Sequence, residues 1–165
     1  MSDPREPILL SEEVLVVLRR AAALARRLNE PFISTRALLL SLLDDPVDGP
    51  VLAGAVFRDQ LESGEPASGA AAHANALPEE PFPEGEAPAM ARYDTLAFKM
   101  PDSTQSVWLS DEALAMLLDG AQRADGPYLP KHLAFGIAAH AKRSPATLTK
   151  LRLDAGAVID AIYKL

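Results

Sequence analysis

The 165-residue chain contains no cysteine, a single tryptophan and only 5% aromatic residues. Without cysteine, disulfides and thiolate metal sites are excluded, and a reducing compartment fits. Few aromatics, and few runs of alternating apolar and polar residues, argue against a core built from sheets. No apolar run approaches the roughly 18–20 residues that span a bilayer. The opening MSDPREP lacks a basic start followed by an apolar core, so no signal peptide is expected and a cytoplasmic protein is. Positive charge is also short: 16 Lys and Arg face 23 Asp and Glu, giving a net charge of −7 and a pI near 4.9. Neutralising phosphates needs a basic surface, which speaks against a nucleic-acid binder.

Catalytic signatures are missing too. There is no phosphate loop of the form G-x-x-x-x-G-K-[ST] and no G-x-S-x-G elbow. The three histidines are His73, His132 and His140, and the last two are eight residues apart, not the i, i+4 spacing of a helical metal pair. The expectation is a non-enzyme with no cofactor and no metal.

What the sequence has in abundance is alanine and leucine, with 48% hydrophobic residues in all, a composition that favours helix. Val14, Leu18, Ala21, Ala25 and Leu28 recur at helical spacing and form one apolar stripe. Ser11 is placed to cap this helix, and Glu12 and Glu13 follow where the helix dipole favours negative charge. Asn29-Glu30-Pro31 ends it. Ser34 or Thr35 then caps a second run, Ala37 to Leu43, which is apolar nearly all round and so predicts a buried central helix, ended by Asp44-Asp45-Pro46. A short third helix is expected over Val51–Leu61, with Gly54 as its weak point. Arg19, Arg20, Arg26 and Arg27 lie away from the stripe, on a face that is solvated or receives the acidic segment that follows.

That segment, Glu62 to Met90, carries five prolines and almost only acidic charge. It cannot bury enough apolar surface to offset its ordering entropy and reads as a linker. Beyond it, the apolar spacing of two on either side of Pro101-Asp102-Ser103-Thr104 predicts a small β-hairpin over 92–108, anchored by Trp108. Leu109-Ser110-Asp111-Glu112 then repeats Leu10-Ser11-Glu12-Glu13 at an offset of 99 residues. Leu117 falls on Leu18, Ala121 on Ala22 and Ala124 on Ala25. Leu129-Pro130-Lys131-His132-Leu133 opens a further helix, and Asp154 caps a last one. The chain is therefore read as an internal duplication: an all-α domain with repeats at 10–61 and 109–165 and an insert at 62–108.

The double repeat, with Phe32-Ile33-Ser34-Thr35-Arg36-Ala37-Leu38-Leu39 in one copy and Tyr128-Leu129-Pro130-Lys131-His132-Leu133 in the other, resembles the Clp N-terminal domain that precedes the ATPase rings of Clp unfoldases. The resemblance implies two pseudo-twofold helical repeats. It also implies a protein-binding role toward an unfoldase, its adaptors or its substrates, as an adaptor, decoy or substrate-capture domain in protein quality control. It places binding at the second-helix starts, on Thr35, Arg36, Lys131 and His132. The family motif there runs roughly Ile-Gly-Thr-Glu-His-Leu-Leu, and its acidic residue is associated in some members with recognition of phosphorylated arginine. Here Arg36 and Lys131 stand at the acidic positions, Ala37 at one histidine and His132 at the other. Cations in place of carboxylates reverse the charge that would meet a guanidinium, which points to an anionic ligand or a different peptide. The alternative function is accordingly a small-anion sensor in the cleft between repeats. Without an ATPase the chain is expected to be a stand-alone domain or a domain-end fragment, the starting methionine and the insert favouring the former.

Overall fold

The computed structural model describes residues 7–9, 11–30, 32–63, 89–91, 98–99, 110–124 and 127–165. Helix α1 (Glu12–Arg27) buries Val14, Val17, Leu18, Ala21 and Ala25 completely, as its apolar stripe dictates. Ser11 Oγ accepts the Val14 N–H at 3.2 Å and caps it. At its other end Asn29 adopts φ 61°. The Asn29 N–H bonds the Arg26 carbonyl at 3.0 Å, and the Glu30 N–H bonds the Ala25 carbonyl at 2.8 Å. This is a Schellman ending, in which asparagine accepts the left-handed position that most residues resist.

Helix α2 (Thr35–Leu43) is capped by Ser34, whose Oγ accepts from the Ala37 N–H at 3.2 Å. Every residue from Thr35 to Leu42 is buried, so it is the central helix its composition predicts. Ser41, a buried polar residue in its last turn, donates to the Val17 carbonyl at 2.5 Å, and Arg20 Nη2 closes over the Ser41 carbonyl at 2.8 Å. The helix expected over 51–61 is instead two short ones, α3 (Gly49–Leu52) and α4 (Arg58–Ser63). The break falls at Ala53–Phe57 rather than at Gly54 alone. Ala55 and Val56 are buried there, and burial rather than helical periodicity sets that stretch. Helix α4 also carries Glu62 and Ser63 into what reads from sequence as linker.

The second half repeats the plan. Helix α5 (Asp111–Ala121) is capped by Ser110, α6 (Pro130–Arg143) lies against it, and α7 (Ala146–Thr149) and α8 (Ala155–Ile162) follow. Asp154 Oδ1 accepts from the Ala157 N–H at 3.1 Å, the expected cap of α8. Helices α5 and α6 approach closely through glycine. A Cβ on Gly136 would lie 2.0 Å from the Met116 carbonyl oxygen, and one on Gly120 would lie 2.3 Å from that of His132.

Three short strands form an antiparallel sheet in the order β1 (Pro7–Leu9), β2 (Ala89–Ala91), β3 (Phe98–Lys99). Ile8 faces Met90, and Met90 faces Phe98. Phe98–Lys99 pairs with Ala89 and Met90, a partner the sequence reading does not name; the second strand of the expected 92–108 hairpin lies outside the described residues. Apolar alternation identifies a strand but not its partner. The turn at 101–104, Trp108 and most of the acidic segment lie outside the described residues.

Candidate binding site at the repeat junction

The two halves grip each other by a reciprocal pair of main-chain bonds. The Ser11 N–H donates to the Tyr128 carbonyl at 3.0 Å, and the Ser110 N–H donates to the Ile33 carbonyl at 2.9 Å. Each N-cap serine of one repeat is thus tied to the residue that leads into the second helix of the other. This brings the start of each second helix against the opposite repeat.

At the α2 start, Thr35 is 3% exposed and donates its hydroxyl to Glu112 Oε1 at 2.5 Å. The other carboxylate oxygen of Glu112 accepts from Thr147 Oγ1 at 3.2 Å and from Lys150 Nζ at 3.0 Å. One carboxylate therefore collects α2, α5, α7 and the residue after α7. Arg36, beside Thr35, points inward. It is 3% exposed, its Nη2 lies 3.4 Å from Glu30 Oε1, and its Nη1 donates to the Leu61 carbonyl at 3.1 Å. The Glu30 side chain is fully buried, and its Oε1 also accepts from Ser34 Oγ at 3.0 Å. Arg36 is thus the cation of a buried pair and closes the end of α4. Its guanidinium is not presented to solvent.

At the α6 start the arrangement differs. Lys131 is exposed. Burial first and Asp45 second raise the pKa of Asp48 above the ordinary carboxylate value, and the Lys131 charge offsets only part of that rise. His132 is 9% exposed, and its Nδ1 accepts the Leu129 N–H at 2.9 Å, the reach-back half of a capping box. Burial and the adjacent Lys131 ammonium hold its pKa below the usual value. The ring stands edge-on to Tyr128, whose buried hydroxyl donates to the Leu117 carbonyl at 2.8 Å.

The four sequence-selected residues therefore divide into three that are built into the fold and one, Lys131, that is presented. Arg36 and Lys131 do not converge on a common anion, because Arg36 is held inside by Glu30. The motif position alone could not reveal this: Glu30 sits in the turn after α1 and reads from sequence as a helix stop. Glu112 and Thr147 carry no motif signal in the sequence. Glu112 reads as a first-turn acid, and only the fold brings Thr35, Thr147 and Lys150 to it.

The arginine face is largely engaged within the chain. Arg19 pairs with Glu12 at 2.9 Å, Arg20 with Ser41, and Arg27 with Glu62 at 3.0 Å. Beside α4 an open groove of about 310 Å³ is lined by Leu43, Ala53, Val56, Phe57, Arg58 and Asp59, with Phe57 49% exposed. Among the described residues no helix is long and apolar enough to cross a membrane, and no group of three His, Asp or Glu side chains could hold a metal ion.

No family model and no curated protein matches this sequence. Among solved structures, the crystal structure of the N-terminal domain of the caseinolytic-protease-associated chaperone ClpD from Arabidopsis thaliana is similar. The TM-score is 0.55 and the identity 14%, over 94% of this chain and 92% of that one. The helices of the chain have the fold of a Clp N-terminal domain.

Proposed function

We propose that the chain is a non-catalytic protein-binding module of the Clp N-terminal type, docking substrates or adaptors in protein quality control. What carries this reading is the likeness to the ClpD N-terminal domain over nearly the full length of both chains. The reciprocal serine–carbonyl bonds that join the halves support it. In this reading residues 10–61 and 109–165 are two repeats of one domain, 62–108 is an insert, and the partner is a protein or peptide, with an unfoldase, its adaptor or its substrate as the class to test. The binding residues are those of the second-helix starts. Lys131 makes the contact, His132 fixes the helix start beneath it, and Thr35 and Arg36 hold the opposite start in shape.

The test is affinity capture from the source lysate with the wild type and with Lys131→Glu, each bound protein then being identified. Recovery of Clp-type ATPase or protease subunits by the wild type, reduced in the variant, supports the reading. If neither form retains such a protein, while a small anion raises the melting temperature, the anion-sensor alternative replaces it.

A further inference from the structure

A second surface, on α6 and α8, gathers cations around an exposed aromatic ring. Tyr163, which ends α8, is 43% exposed. Its ring stacks on half-buried Phe135, with centroids 6.4 Å apart and 26° between the planes. Lys142 Nζ lies 4.5 Å from the centre of the Tyr163 ring, within cation–π range. Lys142, first by its hydrogen bond and then by its charge, and after it Arg123, hold the phenol pKa below its ordinary value. Arg123, Lys142 and the neighbouring Lys164 are all exposed, whereas Arg143 is taken up by an ion pair with Asp119. Asp160, also on α8, is an exposed opposing charge.

This concentration of positive charge runs against a net charge of −7. We propose that Arg123, Lys142 and Tyr163 form a docking point for an acidic segment of a partner protein. Guanidinium and ammonium groups make charge-assisted hydrogen bonds to carboxylates, and the Tyr163–Phe135 stack offers apolar surface to the side chains between them. A short acidic segment touches only this patch. A long polyanion such as a nucleic acid would also meet the acidic remainder of the surface, which repels it.

The experiment is fluorescence anisotropy of a labelled oligoglutamate peptide titrated with the full chain at low ionic strength. Saturable binding is expected, weakened by added salt and reduced by at least about tenfold in the Arg123→Glu, Lys142→Glu double variant. Both side chains are exposed, so the fold should be retained, and circular dichroism checks this. Absence of saturable binding overturns the proposal, as does equal binding by the double variant. Tighter binding of a single-stranded oligonucleotide than of the peptide also overturns it. Lys131→Glu leaves this patch intact and should bind the peptide like the wild type; loss in that variant instead would move the acidic site to the α6 start and reject the assignment made here. Failure of the reading based on the Clp-type fold leaves this result untouched, and the reverse holds.

Discussion

Thr35 of the first repeat and Glu112 of the second are joined by a hydroxyl–carboxylate hydrogen bond of 2.5 Å. The pair are 77 residues apart in sequence, and the same carboxylate reaches Thr147 and Lys150. Truncating Glu112 would leave two threonine hydroxyls, each on a buried residue, without this acceptor. Glu112→Ala is expected to cost about 1–3 kcal/mol, read as a fall of several degrees in melting temperature. Lys150→Ala removes only the 58%-exposed partner and should cost less than about 1 kcal/mol. Equal effects of the two variants would show that the threonines do not depend on the carboxylate.

Arg36 and Lys131 occupy matching places in the two repeats yet should respond oppositely to charge reversal. Arg36→Glu sets a second carboxylate against fully buried Glu30. Loss of one partner of a buried pair typically costs about 3–5 kcal/mol, so urea unfolding should show a sharply lowered midpoint or no folded baseline. Lys131→Glu changes an exposed residue and should unfold within about 1 kcal/mol of wild type. A stable Arg36→Glu protein would mean that the guanidinium does not sit where Glu30 places it. The two substitutions cannot serve as equivalent probes of binding.

The helices and their caps were legible because they depend on local chemistry: Ser11, Ser34 and Asp154 cap where their hydroxyl or carboxylate meets an orphan N–H. The duplication was legible because both copies keep the same leucine–serine start. The site was only partly so. Arg36 at a motif position looks like a presented cation until Glu30 is brought beneath it, and Glu112 looks like a dipole-favoured acid until α2 and α7 arrive. Strand pairing was the least legible, since β3 finds β2 across sequence that carries no register signal.

His132 supplies a pH dependence whose direction is fixed. Its folded pKa is depressed below 6.5 by burial and then by Lys131. Between that folded value and 6.5 the unfolded chain therefore binds more protons. Stability is full above 6.5 and falls as pH drops through the window. Protonation of Nδ1 also removes the acceptor for the Leu129 N–H. His132→Gln keeps an acceptor at that helix position and removes the titration. The stability difference between wild type and His132→Gln should shift against the wild type as pH falls from 7 to about 5. A difference that is flat with pH would show that His132 is not the titrating group.

Arg152 repeats the geometry of Asn29 with a worse residue. It has φ 64°. Its N–H bonds the Thr149 carbonyl at 2.9 Å, and the Leu153 N–H bonds the Leu148 carbonyl at 3.2 Å, the same Schellman ending. A left-handed conformation costs a side-chain-bearing residue roughly 1–2 kcal/mol, which glycine largely avoids. Its greater unfolded-state entropy offsets part of that gain. Arg152→Gly is expected to stabilise by about 0.5–1 kcal/mol, a rise of roughly 1–4 °C in melting temperature. A drop instead would show that the arginine side chain contributes more than its backbone strain removes.

The tightest test of the packing is Gly136. Its Cα faces the Met116 carbonyl, and a methyl there would also meet the backbone of Gly120 at 2.7 Å. Neither neighbour is the movable end of a side chain, so α5 and α6 would have to separate. Overpacking of this kind typically costs about 1–3 kcal/mol, partly offset by the better helix propensity of alanine, about 1 kcal/mol. Gly136→Ala should therefore still be destabilised. Because Leu129, Lys131 and His132 open α6, the displacement should carry to the α6 start. Partner capture should then weaken even at temperatures where the variant remains folded. A Gly136→Ala protein as stable as wild type would mean that the two helices do not cross as closely as the carbonyl contact requires.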